Sequence, residues 1–184
     1  MSEARRAHWT EADFFAWHER QQARYELVGG QPQAMPADNQ RHNVVATNIY
    51  DALRKRLGRG PCRPFPFNTA VRIPGGNVRY PDVLVECGPM RPDDHAATEP
   101  VLVVEVLSPS TRTFDLTQKL EEYRTVATMR HVLVLDPEAV RARLHTRAAD
   151  GTWSWTLVSD PGAELQLTAL GIIVPLGECY EGPA

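Results

Sequence analysis

Pro100-Val101-Leu102-Val103-Val104-Glu105-Val106-Leu107 decides the fold, because a run this apolar reads as a strand buried in the middle of a sheet. A single carboxylate, Glu105, interrupts it. Burying that group is costly unless a cation or hydrogen-bond donors compensate, so something must meet it. Upstream, Phe67 to Ile73 and Arg79 to Glu86 are two further strand candidates, parted by Pro74-Gly75-Gly76-Asn77 and followed by the polar segment Gly88 to Glu99. The three read as a meander.

On the other side of the Pro100 run, Ser108-Pro109-Ser110-Thr111 breaks the strand. Thr113 is placed to cap a helix reaching about Thr125, with Leu116, Leu120 and Tyr123 near one face. His131 to Leu135 is a short apolar run ending at Asp136-Pro137, which suits a buried strand. Before the meander, Val44, Val45, Ile49, Leu53 and Leu57 recur at helical spacing between about Asn39 and Leu57, and Gly58 and Gly60 stop that helix. The order is helix, three strands, helix, strand, an α/β arrangement.

Additions flank this core. Thr10 with Asp13 predicts a capped helix running to about Arg24, and Tyr25 to Val28 with Gln31 to Met35 flank Gly29-Gly30 as a hairpin. Arg141 to Thr146 and Thr152 to Val158 form a second hairpin around Ala149-Asp150-Gly151. Its Trp153 and Trp155 share one face, expected in the core; a dimer surface is the alternative, so a homodimer stays open.

The 184 residues suit one domain spanning 1–184. Cys62, Cys87 and Cys179 lie far apart without a CxxC pair, so neither a disulfide framework nor a zinc clip is expected, and a reducing cytoplasm is the natural compartment. Charge enters every short window of the first residues, arguing against a signal peptide, and no apolar run is long enough for a bilayer, so no membrane partner is expected. With 20 Lys+Arg against 23 Asp+Glu, no global positive field draws in a polyanion. Basic clusters at Arg54-Lys55-Arg56 with Arg59, and at Arg141, Arg143 and Arg147, read as solvated faces or as the rim of an acidic site.

Asp82, in Tyr80-Pro81-Asp82-Val83-Leu84-Val85, sits near the start of the strand candidate preceding the Glu105 strand, so pairing of the two can bring both carboxylates side by side. Two such groups with a backbone carbonyl and waters make an octahedral site for Mg²⁺ or Mn²⁺. Taken singly, Asp82 is also a common turn residue, and Glu105 can pair with an arginine such as Arg79 or Arg112. Ser108 and Ser110 lack a GxSxG context, and no phosphate-binding glycine pattern occurs, which disfavours acyl transfer and nucleotide-driven chemistry.

From Tyr25 to Asp136 the chain resembles the PD-(D/E)XK nuclease superfamily and, within it, the Uma-two family of endonucleases. The resemblance rests on Tyr25-Glu26-Leu27-Val28-Gly29-Gly30, Met35-Pro36, His42, Tyr80-Pro81-Asp82-Val83, Glu105 through Thr111, and Asp115 through Lys119 to Tyr123. It implies a restriction-endonuclease-like fold, a nuclease acting on nucleic acid, most naturally DNA, and metal-binding carboxylates at Asp82 and Glu105. The superfamily's lysine falls at Leu107 here, and the family pattern implies that Lys119, on the following helix, replaces it. Asp115, Lys119 and Tyr123 are spaced four apart and line one helix face. Lys119 paired with Asp115 at the surface is the plainer reading. Glu26 and His42 also match family positions: Glu26 as an additional or supporting acid, although a glutamate beside a hairpin is ordinarily solvated, and His42 as an orienting hydrogen-bond partner. The competing function is a noncatalytic binding or scaffold module that keeps the fold, motivated by the acidic net charge and the displaced lysine.

Overall fold

The structure is a computed structural model that describes residues 8–108 and 114–182, the side chains of 114–116 excepted. Thr10 opens α1 (Glu11–His18) through a reciprocal capping box, its hydroxyl accepting from the Asp13 N–H while the Asp13 carboxylate accepts from the Thr10 N–H. The helix stops at His18, short of the expected Arg24, as backbone bonds from Arg20 and Gln21 tighten into turns. A hairpin follows, β1 (Tyr25–Val28) with β2 (Gln31–Ala34), and its turn residues Gly29 and Gly30 hold φ of 57° and 71°, a region that β-carbons disfavour. Asn39 caps α2 (Gln40–Leu57) by accepting from the His42 N–H, and Gly58 closes it.

The remaining elements are β3 (Arg63–Pro66), β4 (Val71–Ile73), β5 (Asn77–Arg79), β6 (Val83–Glu86), β7 (Pro100–Val106), α3 (Phe114–Thr125), β8 (His131–Leu135), β9 (Ala142–Arg147), β10 (Trp153–Val158), β11 (Glu164–Leu167) and β12 (Ile172–Pro175). Six strands form one sheet in the order β10-β9-β8-β7-β6-β3. Its neighbours are antiparallel except β7 and β8, which run parallel and are joined through α3. Alternation along the strands supplies two apolar faces. Val83, Val85, Leu102, Val104 and Leu133 pack with Val45, Ile49 and Leu53 of α2, whereas Leu84, Val103 and Val132 pack with Tyr123, Val126 and Met129 at and beyond α3. A four-stranded sheet, β2-β1-β5-β4, closes over the end of the large one where β7 finishes.

The order helix, three strands, helix, strand is therefore realised as α2, β3, β6, β7, α3, β8, but its first strand lies elsewhere than expected. Arg63–Pro66, not Phe67 to Ile73, pairs with β6, and Val71–Ile73 belongs to the small sheet. Pro64 and Pro66 weaken the strand signal, yet β3 is a sheet edge, where missing N–H groups are tolerated. Phe67 then turns the chain at φ 50°, uncommon for a side chain of this bulk, and its N–H donates to the Asp82 carbonyl at 2.8 Å. The candidate Arg79 to Glu86 also splits, ending β5 at Arg79 and starting β6 at Val83, with Tyr80-Pro81-Asp82 between the sheets.

Two further expectations are corrected. Cys62 and Cys87 form a disulfide that ties the start of β3 to the end of β6; the register brings them together across a separation of 25 residues. Trp155 is 56% exposed rather than in the core, while Trp153 is partly covered by the Arg124 guanidinium. Among the described residues no helix is long and apolar enough to cross a membrane.

Candidate active site

Glu105 stands near the end of β7, and the strand register decides what surrounds it. Val83 of β6 pairs with Val104, which sets Asp82, the next residue back along that strand, beside Glu105. The Asp82 carboxylate accepts from the Val106 N–H at 2.8 Å. From the crossover helix α3, Tyr123 donates its hydroxyl to Glu105 Oε1 at 2.6 Å, and Lys119, one turn earlier, brings Nζ to 3.5 Å from Oε2. Glu105 is only 8% exposed. Burial pushes its carboxyl up to about 7, against the Lys119 charge and reinforced by Asp82 and Glu26. Burial alone would lower Lys119, yet the Glu105 and Glu26 carboxylates hold it above the usual lysine range.

Glu26 is a correction to the solvated strand residue expected beside a hairpin. It is 7% exposed and fully engaged: Oε1 accepts from the Tyr80 N–H at 3.1 Å and lies 3.1 Å from Lys119 Nζ, and Oε2 meets Arg79 at 2.9 Å. Arg79 spans the hairpin sheet and α3, holding Glu122 through two bonds of 2.6 and 3.0 Å. Arg79 thus serves Glu26 and Glu122 rather than Glu105. Arg112, the other arginine considered for Glu105, and the Asp115 side chain lie outside the described residues.

His42 approaches from the first turn of α2, buried, with Nε2 3.3 Å from Asp82, 3.1 Å from the Val106 carbonyl and 3.7 Å from Asp38. Burial lowers its proton affinity, but Asp82 and Asp38 outweigh that and hold it above the ordinary histidine value. Asp38, drawn up by burial despite His42, is the group the sequence reading missed. Its signal was slight, an aspartate four residues before a histidine at a helix start. Glu122 was missed as well, and nothing in its local sequence distinguishes it from a solvated helix glutamate.

Glu26, Asp38, His42, Asp82, Glu105 and Lys119 line a cleft of about 110 Å³. Ligand atoms of Asp38, His42 and Asp82 all lie within 4.8 Å of one another. Among the described residues, four carboxylates face the cleft and its cations are Lys119 and Arg79, the latter shared with Glu122. This donor set fits a divalent cation with a preference for oxygen, Mg²⁺ or Mn²⁺, and the imidazole of His42 suits Mn²⁺ in addition.

Residues 11–176 match the Uma2 family model, described as "Putative restriction endonuclease". The chain belongs to that family. Two uncharacterized proteins of Synechocystis sp. are similar to it: one is 29% identical, covering 94% of this chain and 91% of its own length, and the other is 26% identical, covering 89% and 94%. A crystal structure from Anabaena variabilis, of "a putative nuclease belonging to DUF820", superposes with a TM-score of 0.74 at 13% identity, covering 91% of this chain and 96% of that one. At that identity the likeness concerns the fold, which is restriction-endonuclease-like, as the resemblance of the Uma2 motifs implied.

Proposed function

We propose that the protein is an endonuclease dependent on a divalent metal, hydrolysing phosphodiester bonds in nucleic acid, with DNA the expected substrate. The observation that carries this reading is Glu105 itself, a buried carboxylate next to Asp82 that also meets Lys119 and Tyr123 at the mouth of a cleft. Asp82 and Glu105 would hold the ion, with Asp38 and His42 close enough to support it from the α2 side. When bound, such an ion polarises a phosphate and lowers the pKa of a coordinated water. Lys119 offsets negative charge developing on the phosphoryl oxygens, and Glu26 keeps it aimed into the cleft. Tyr123 fixes one oxygen of Glu105 so that the other faces the cleft side. No side chain is needed as a covalent nucleophile.

Supercoiled plasmid, single-stranded DNA and RNA incubated with Mg²⁺ or Mn²⁺ test the reading. Cleavage of DNA by the wild type, absent in Asp82→Ala and in Glu105→Ala while both remain folded, is expected; cleavage surviving in both variants would place the chemistry elsewhere. A second reading, a noncatalytic module, draws on the chain of ion pairs Glu105-Lys119-Glu26-Arg79-Glu122, which balances much of the buried charge by itself. Calorimetric titration with Mn²⁺ separates the two, since the module takes up no metal.

A further inference from the structure

β10, Trp153-Ser154-Trp155-Thr156-Leu157-Val158, is the outer strand of the six-stranded sheet, and its four central residues are all exposed. It pairs with β9 over six residues without a bulge, and it contains no charge and no proline. Natural sheets protect an open edge with lysines, prolines, bulges or a covering element, and this one has none among the described residues. The Ala148 N–H donates to the Thr152 carbonyl, which sets the phase of the antiparallel ladder. Bonding then alternates, so Ser154, Thr156 and Val158 turn their backbone groups toward β9, and Trp153, Trp155 and Leu157 turn theirs outward. The side chains of those same three residues share one sheet face, where Trp155 is 56% and Leu157 is 52% exposed.

We infer that this edge pairs antiparallel with β10 of a second copy, making a two-fold dimer with one continuous sheet across both subunits. Opposed residues of an antiparallel pair must point to the same face, so the positions paired in a two-fold arrangement sum to an even number. Setting Trp155 opposite its own copy, and Trp153 opposite Leu157 of the second copy, lets each outward residue exchange both backbone bonds. It also brings apolar side chains against apolar side chains across the axis. The strand is neutral, so its approach to itself meets no like charge within the pair. A nucleic-acid strand fits the edge less well: Arg143, the exposed cation beside it, already lies over the Trp155 ring at 5.1 Å, and the chain carries a net charge of −3. Because the axis runs perpendicular to the sheet, it reverses the strand direction, and the two clefts, each at the end of β7, fall toward opposite ends of the joined sheet.

Six residues per copy make a small interface, below about 1,200 Å². The dissociation constant is therefore expected at about 1–100 µM. Sedimentation equilibrium of the full chain over loadings of roughly 1 to 200 µM brackets that range. The wild type should pass from monomer to dimer. Leu157→Lys, at an exposed side chain, should stay monomeric throughout with an unchanged circular dichroism spectrum. In a parallel oxidative experiment Trp155→Cys should give a reducible dimer band, because the register sets the two copies of that position opposite each other. A wild type that is monomeric at every loading overturns the proposal, including one that instead shifts only on adding a single-stranded oligonucleotide. A dimer that Leu157→Lys leaves intact overturns it too.

Discussion

Tyr123 gives Glu105 its hydroxyl donor, and removing that donor leaves a buried carboxylate oxygen underbonded. Tyr123→Phe should therefore cost about 1–3 kcal/mol of stability, read from urea unfolding, and lower metal-dependent cleavage. An unchanged unfolding midpoint would mean that the bond contributes nothing. Lys119→Met removes the ammonium and should slow cleavage about a hundredfold to a thousandfold, and Lys119→Arg should restore only part, since a planar fork does not reproduce a compact charge. If Lys119→Met turns over like the wild type while Asp82→Ala is dead, Lys119 has a structural role alone. Away from the cleft, burial with Arg124 and Arg143 pushes His145 down to about 4, and Arg124 donates to its Nδ1 at 3.0 Å. The folded value lies below the unfolded one, near 6.5, so the stability from keeping this ring neutral is present above pH 6.5. It is lost as the pH falls toward 4, and His131, pushed down to about 4 by burial, acts in the same direction. His145→Asn keeps an acceptor for Arg124 without the proton, and the drop in melting temperature between about pH 7 and 5 should shrink by a few degrees. The same pH slope in that variant would rule His145 out as a contributor.

At the level of elements, the bridge between Cys62 and Cys87 closes a loop over part of the small sheet and the Phe67 turn, and so braces the edge strand β3 against β6. Reduction, or Cys62→Ser, should lower unfolding free energy by about 2–4 kcal/mol, measured by urea denaturation with and without dithiothreitol. Equal midpoints would show that β3 holds without it. The sequence hid this bond because 25 residues separate the cysteines, and only the β3–β6 register brings them together. The same register was hard to read, since Pro64 and Pro66 mask β3. Elements whose signals are local were legible: the Thr10 box, the Gly29-Gly30 turn, the helical repeat of α2, the apolar run of β8. Glu105 was legible because its apolar neighbours make the burial of a carboxylate conspicuous. Asp38 and Glu122 were not, because their burial depends on contacts with His42 and Arg79, which lie on other elements or across a helix start. The hairpin of β11 and β12 went unread as well, and its Leu165, Leu167 and Val174 complete the core beneath α2.

For the molecule as a whole, the cleft joins contacts of very different reach along the chain. Glu105 meets Lys119 and Tyr123 across only 14 and 18 residues, through the single β7-α3-β8 unit. Glu26 reaches Arg79 and Tyr80 across 53 and 54, and His42 reaches the Val106 carbonyl across 64. Closing a short loop costs less entropy than closing a long one, so the two halves have different histories in time. The carboxylate with its lysine and tyrosine is expected to assemble early, and the hairpin acid and the histidine late. Side-chain truncations in α3 should then slow refolding, and those in β1 should mainly speed unfolding. The same order in reverse makes the hairpin side the first to open under mild denaturant, leaving β7 and α3 paired, which amide exchange at Leu27 and Val103 will report.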